Sequence, residues 1–407
     1  MSEQPGPRET GPRGARQQLA ILALAMVLGM TPWFSATVAA PGMIAEWGIR
    51  TDTAAWLTVA VQAGFVIGTF VSALLLLSDR FSPRWLAAVS SLIAGGATAL
   101  LAWGHTGPAA AVGLRLVTGV ALAGVYPPGI KIAAGWWQTR RGTAIGILVG
   151  ALTIGSAAPN LFRVTVSGAD WRAIVLAAAF AALVAAGLFA WSIREGPFQG
   201  PTAPFDPRAL SHVLRDKGVM LATGGYLGHM WELYAMWSSI GLFWAYVVAQ
   251  RALPPLVAPV LSFTTIAAGA VGCVVAGVAA DRVGRATVTI IAMAVSGACA
   301  IGIGALIHAP TAMLVSVAVL WGISIVADSA QFSASVTELA PAQYVGTAIT
   351  LQTCAGFLLT IASIRLVPVW VSSWGWHVAF APLAVGPALG IVAMWRLRAH
   401  STSPGPT

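Results

Sequence analysis

Twelve long stretches of this chain, roughly 17–41, 54–77, 85–103, 109–135, 143–167, 172–193, 219–248, 257–280, 286–307, 311–335, 345–371 and 377–397, are apolar almost without interruption. This pattern limits the possible folds more than any motif does. A bilayer core about 30 Å thick is crossed by a helix of about 20 apolar residues. Inside hydrocarbon every backbone amide needs a partner within its own helix or a closed barrel. The Ala, Val, Leu and Ile runs lack the polar alternation of barrel strands and therefore predict helices. Charge is scarce to match: 9% of residues are charged, against roughly 25% in soluble domains, and mean hydropathy is +0.81.

The runs fall as six, a polar segment, and six more. They predict an all-α membrane protein with twelve transmembrane helices in two six-helix bundles, over 17–193 and 218–398. Segment 194–217 carries Pro197, Pro201, Pro204 and Pro207 and is expected to be an irregular cytoplasmic linker. Residues 1–16 and 399–407, rich in Pro, Gly, Ser and Arg, are expected to be disordered tails. Arg13 and Arg16 ahead of the first run give it the look of a secretory signal, but the eleven spans that follow favour an uncleaved first helix.

Basic loops stay on the cytoplasmic side of a membrane. With the N-terminus inside, the cytoplasmic segments hold fifteen Lys and Arg and the outer loops hold three, Arg50, Arg172 and Arg251. Both termini are therefore expected in the cytoplasm. The formal charge of +9 follows from topology, and basic residues scattered over separate loops argue against a nucleic-acid partner. Cys273, Cys299 and Cys354 all fall within spans, so no disulfide framework is implied.

The two halves repeat one another. Asp79-Arg80-Phe81-Ser82-Pro83-Arg84 and Asp281-Arg282-Val283-Gly284-Arg285 each follow the second apolar run of a half, 202 residues apart. Gly142-Thr143-Ala144-Ile145 opens the fifth run and Gly346-Thr347-Ala348-Ile349 the eleventh, 204 apart. Trp171-Arg172 and Trp376-His377 precede the sixth and twelfth at an offset of 205. Order is kept throughout, as in parallel repeats.

On these residues the chain resembles the major facilitator superfamily of secondary transporters over essentially its whole length. Gly277-Val278-Ala279-Ala280-Asp281-Arg282-Val283-Gly284-Arg285 fits that family's Gly-x-x-x-Asp-Arg-x-Gly-Arg loop, while the first-half copy departs from it with Leu75 and Ser82 at the glycine positions. Arg115 and Gly119 fit its Arg-x-x-x-Gly pattern in the fourth span. The stretches 126–131 and 226–234 look most like the bacterial branch of cyanate, 2-nitroimidazole and nitrate/nitrite carriers. Nitrate carriers place an Arg in the second and eighth spans, and neither 54–77 nor 257–280 has one. The resemblance implies alternating access in a bacterial cytoplasmic membrane by a monomer that needs no cofactor or metal, its partners being a small solute, protons and the lipid bilayer. It also implies that Asp79, Arg80, Arg84, Gly277, Asp281, Arg282, Gly284 and Arg285 form gating loops. An Asp at the cytoplasmic end of one helix can pair with the N-terminus of another; the rival reading is that these arginines only fix topology.

Ionisable residues inside a span are costly and usually face a cavity or a partner. His229 and Glu232 lie one turn apart in the seventh span and can share a proton, or else form a structural hydrogen-bonded pair. Asp328 in the tenth span needs a partner from elsewhere, and Lys131 at comparable depth in the fourth is the candidate, as a functional or a static pair. Arg115 occupies the family position tied to proton coupling. Proton coupling is thus assigned to Glu232, His229, Asp328 and Arg115. Arg163 and Arg365 lie near outer helix ends, from which long side chains reach the headgroups.

Tryptophans at span ends, such as Trp103, Trp136, Trp137, Trp171 and Trp374, read as interfacial anchors. Trp33, Phe34, Trp231, Tyr234 and Trp237 lie deeper, in spans that line the central path of the resembled fold, and can enclose a solute or pack a core. Lys131, Trp33, Tyr126, Asn160, Gln62, Trp231, Tyr234, Gln331 and Gln352 are the candidate solute contacts. Pro32, Pro127, Pro128 and Pro159 interrupt helix ladders, and Gly64-x-x-x-Gly68 and Gly146-x-x-x-Gly150 suit close helix contact. With Arg163 and Arg365 counted, four intramembrane Lys and Arg stand against two acids, which points to a small organic or inorganic anion carried with protons; with both as anchors the excess vanishes. Proton-driven efflux of drugs or metabolites is the alternative, and a non-transporting sensor the remote one. An enzyme or primary pump is not expected, because the chain has neither a catalytic constellation nor a Walker-type motif.

Overall fold

The computed structural model describes residues 14–103, 106–137, 141–165, 170–198, 206, 208 and 210–402, and these are helical apart from short connections. The first span is α1 (Ala15–Met30) and α2 (Pro32–Trp47), and after the one-turn α3 (Thr51–Ala54) the second is α4 (Trp56–Leu74). A short α5 (Leu77–Arg80) leads to the third, α6 (Pro83–Leu101). The fourth is split into α7 (Pro108–Leu122) and α8 (Tyr126–Trp136), the fifth is α9 (Arg141–Thr165), and the sixth is α10 (Trp171–Gly187), ending in a π turn at Leu188–Ser192. In the second half, α11 (Leu210–Arg215) precedes the seventh span, α12 (Lys217–Gln250), and the eighth is α13 (Val257–Ala267) with α14 (Gly269–Val283). The ninth is α15 (Arg285–Gly302), the tenth α16 (Thr311–Ala327) with α17 (Ser329–Leu339), the eleventh α18 (Val345–Trp374) and the twelfth α19 (Val385–Thr402).

Ten helical segments among the described residues have the length and apolar character to cross a membrane. α12 and α19 complete the twelve; the first is diluted by Lys217, His229 and Glu232, the second by Arg396 and Arg398. Large apolar side chains point outward, with Phe180 69% and Leu389 65% exposed, while Ala and Gly fill much of the interior. Lipid is the solvent, so the outer surface need not be polar.

Small residues set the closest helix contacts. A Cβ at Gly64 would overlap the Leu116 carbonyl, and one at Gly119 the Val61 carbonyl, so α4 and α7 touch through their backbones. Gly119 of the Arg-x-x-x-Gly pattern is therefore a packing residue that brings the Arg115 helix against α4. Gly146 and Gly150 face Cys273 and Ala270 in the same way, joining α9 of the first half to α14 of the second.

Three expectations change. The 194–217 segment is not wholly irregular: α11 forms within it and stacks His212 on Tyr344 at 5.6 Å. Its start is held by Phe198 N–H donating to Gly135 O at 2.9 Å and Trp136 Nε1–H donating to Arg194 O at 2.8 Å. The first helix begins at Ala15 and the last reaches Thr402, inside the expected tails; the remaining tail residues, 1–13 and 403–407, lie outside the described residues. Trp171 is no lipid anchor, because it is 7% exposed and its indole N–H donates to Glu46 at 2.7 Å.

Candidate functional site

The first span is broken where Pro32 supplies no N–H for the Leu28 carbonyl. Thr31 Oγ1 sits 2.8 Å from Leu28 O and 2.9 Å from Ala178 O, so its hydroxyl replaces the missing donor. Just beyond the break, Trp33 and Phe34 turn inward and meet rings from three other helices. Trp33 lies 5.0 Å from Phe65 of α4, 5.7 Å from Tyr234 of α12 and 5.8 Å from Phe357 of α18. Phe65 and Phe357 approach to 4.4 Å, and Trp237 stands 6.0 Å from Phe34. These rings come from near the middle of their helices and from both halves, so the aromatic cluster closes the seam between the bundles at mid-depth.

Arg115 on α7 is fully buried and bound to backbone: Nη2 donates to Trp33 O at 2.5 Å and Nε to Leu57 O at 3.4 Å. Nη1 has no hydrogen-bond partner among the described residues. Gln62, one turn before Phe65 on α4, is likewise buried with both amide atoms unpartnered.

The acids lie in the second half. Glu232 is 1% exposed; Trp321 Nε1–H donates to Oε1 at 2.7 Å and the Ser296 hydroxyl to Oε2 at 2.8 Å. The proton-sharing pair expected of His229 and Glu232 is replaced by another arrangement. The two side chains diverge on α12, and His229 Nδ1 lies 2.8 Å from Asp328 Oδ1 instead. This contact is close but is not aligned as a hydrogen bond, and the imidazole is charged only when protonated. Asp328 thus meets a partner in its own half. The reason is local: α16 and α17 break at Asp328, which turns its carboxylate toward the α12 face beside Phe332. Lys131 is half-buried on α8.

The break has a counterpart. Gly124 lies in the gap between α7 and α8, 204 residues before Asp328, the offset that also separates Gly142 from Gly346. The fourth and tenth spans thus break at one register, with glycine in one half and a carboxylate in the other.

The remaining candidates disperse. Gln331 Oε1 accepts from Arg285 at 2.8 Å, and Gln352 Oε1 is 3.5 Å from the Ser333 hydroxyl. Asn160 donates to Ala157 O of its own helix at 3.1 Å, and Trp231 donates to Pro382 O at 3.3 Å. Tyr126 opens α8, with Pro127 and Pro128 in its first turn, where a missing N–H is tolerated. Arg163 is exposed, and Arg365 stacks on Trp56 of α4 at 4.8 Å. Phe65, Phe357, Ser296 and Trp321 escaped the sequence reading, although Trp321 had a visible signal in lying well inside its span.

Four of the five motif positions of the second-half charged loop, Gly277, Asp281, Gly284 and Arg285, have a physical task. Gly277 meets Gly142 O across the halves at 3.3 Å from where its Cβ would be. The Asp281 carboxylate oxygens lie 3.6 and 3.7 Å from the Cβ position of Gly142, in the first turn of α9, where free N–H groups favour a negative charge. Gly284 has φ +85°, a left-handed conformation that suits glycine. Arg285 binds Glu338 at 2.6 Å in addition to Gln331. Arg282 is exposed. The first-half copy turns differently: Leu76 takes the positive φ and Ser82 has φ −56°, so no glycine is required there. Ser82 bonds Glu195, and Arg84 reaches Ile193 O at 3.5 Å. Arg80 is exposed, and the Asp79 side chain lies outside the described residues.

The family model described as Major Facilitator Superfamily matches residues 22–364. The chain belongs to that superfamily. It is accordingly a multi-pass secondary transporter and not an enzyme. Among solved structures of the superfamily, the proton:xylose symporter XylE bound to 6-bromo-6-deoxy-D-glucose aligns over 95% of this chain and 96% of its own, with a TM-score of 0.73 and 13% identity. At that identity the likeness concerns the shared superfamily fold. No curated protein matches the chain.

Proposed function

We propose that this transporter carries a small anion inward together with protons, as a monomer in a bacterial cytoplasmic membrane with both termini inside. One observation carries the reading. Glu232 is a carboxyl group buried in the middle of α12, held by two donors and one turn from the His229–Asp328 contact. A buried carboxyl group whose charged form is held only by hydrogen-bond donors becomes a proton site when the conformation changes those partners. Ser296 and Trp321 come from α15 and α16, so any relative movement of these helices alters that balance.

Arg115 supplies a positive charge at the seam, bound to carbonyls of α2 and α4. Asp281 at the start of α9 serves as the latch that holds the cytoplasmic side closed, with Arg285 securing its loop to α17. XylE, of the same fold, is itself a proton symporter, which supports the coupling.

The test uses the full-length protein in proteoliposomes with an imposed inside-alkaline gradient and labelled formate, acetate and benzoate. Uptake is expected above equilibrium and should collapse with a protonophore. Glu232→Gln should abolish the gradient dependence and retain exchange of external for internal anion. Unchanged gradient-driven uptake in that variant would refute the assignment, and anion export driven by an inward proton gradient would indicate antiport.

A further inference from the structure

The donors left over in the aromatic cluster narrow the class of anion. We propose that the site takes a flat aromatic or heteroaromatic monocarboxylate, its ring placed between the side chains of the cluster and its carboxylate received by indole N–H groups. The proposal rests on the anion reading above and deepens it.

Several other indole N–H groups inside this molecule find acceptors: Trp244 donates to Thr265 at 3.1 Å, Trp321 to Glu232 at 2.7 Å and Trp231 to Pro382 O at 3.3 Å. Trp33 and Trp237, 1% and 3% exposed, have none among the described residues. A buried donor without a partner costs free energy, and each such group in a native structure calls for an explanation. Both belong to the one cluster that bridges the two halves, each within 6.1 Å of Tyr234 and of a ring from the opposite half.

The neighbouring polar groups have the same character. Gln62, one turn from Phe65 on α4, and Gln352, on the helix that carries Phe357, are fully buried, and their amide nitrogens are unpartnered. Arg115 holds the carbonyl of Trp33 itself and has Nη1 to spare. Donors therefore outnumber acceptors, and the guanidinium bonds only to carbonyls, so its charge favours an anion.

Aromatic cages also bind cations, but they do so through ring faces with carboxylates in support. Here the nearby acids are engaged, Glu232 by Trp321 and Ser296 and Asp328 by His229. Five tilted ring contacts around Trp33 and Tyr234, at 5.0–5.8 Å, offer faces and edges to a planar solute and little to a small inorganic ion.

Calorimetric titration of the detergent-solubilised full-length protein tests this at fixed pH with no gradient. Benzoate and nicotinate are compared with cyclohexanecarboxylate, which has the charge but not the flat ring, and with benzylammonium, which has the ring but the opposite charge. The aromatic carboxylates should bind at least about tenfold more tightly than cyclohexanecarboxylate, and benzylammonium should give no binding heat. Trp33→Phe and Trp237→Phe keep a ring and delete the N–H. Each should weaken benzoate by about tenfold, the scale of a lost hydrogen bond to a charged group, with the melting temperature unchanged. If one variant fails to fold, the other decides. Equal affinity for cyclohexanecarboxylate, preference for benzylammonium, no binding by either aromatic carboxylate, or wild-type affinity in both folded variants would overturn the proposal. Proton-driven uptake of formate with which benzoate does not compete would sink this inference and leave the transport reading standing. Tight benzoate binding without gradient-driven uptake would do the reverse.

Discussion

His229 Nδ1 lies 2.8 Å from Asp328 Oδ1, tying the middle of α12 to the break between α16 and α17. Both side chains are buried, and deleting one leaves the polar atoms of the other facing an apolar surface, at a cost of roughly 1–3 kcal/mol. His229→Leu should therefore lower the melting temperature sharply. His229→Leu with Asp328→Leu should recover much of the loss, since a well-packed apolar pair of similar volume is often neutral. Thermal unfolding of the wild type, both single variants and the double variant gives the coupling; strictly additive losses would show that the two groups act independently.

The backbone contact between α4 and α7 leaves no room for a side chain at Gly119 or Gly64. Gly119→Ala should cost about 1–3 kcal/mol, the usual range for overpacking. Arg115, one turn away on the same helix, should lose its hold on Leu57 O and with it some transport. Gly96 on α6 has nothing within 4 Å of its Cβ position and is the control. Gly96→Ala should be neutral or stabilising by up to about 1 kcal/mol, because glycine is a poor helix former. Equal melting temperatures for the two alanine variants would contradict the packing.

Gly284, at φ +85°, separates α14 from α15. Alanine there pays about 1–3 kcal/mol for a positive-φ, extended-ψ backbone that only glycine readily adopts, and it shifts the loop that places Asp281 against α9. A variant at Ser82, the repeat-equivalent position with φ −56°, carries no such penalty. Gly284→Ala should slow uptake more than Ser82→Ala does, as read by initial rates in proteoliposomes.

Arg285 reaches two acceptors of different kind. Glu338 is 59% exposed, so its pair with Arg285 is worth no more than about 1 kcal/mol and weakens with salt. Gln331 is 2% exposed, and its loss removes a hydrogen bond to a charged donor in a protected setting, worth about 1.5–3 kcal/mol. Gln331→Ala should therefore destabilise more than Glu338→Gln, and only the latter effect should fade in high salt; denaturation at two ionic strengths distinguishes them.

Membrane class, span count and the repeat are legible in the sequence because hydrocarbon imposes length and apolarity on each helix separately, without reference to its neighbours. The inward position of Trp33 and Tyr234 follows from their depth in a span, by the same logic. Partner choice is different in kind. Glu232 is met by Trp321 and Ser296, 89 and 64 residues away, and Asp328 by His229, because helix rotation and the break at Asp328 decide which faces meet. Spacing along a single helix placed His229 beside Glu232 but said nothing of the helices packed on either side. Arg365 shows the same limit, since its place along its own helix says nothing of Trp56, the ring from the other half on which it stacks.

The interruption shared by the fourth and tenth spans bears on the asymmetry of this molecule. A joint present in both halves leaves two weak points in the ladder of amides. One is a bare pivot at Gly124, and the other carries an ionisable passenger at Asp328. The two cannot trade places: a chimera built from two first halves would keep its articulation and lose the carboxylate.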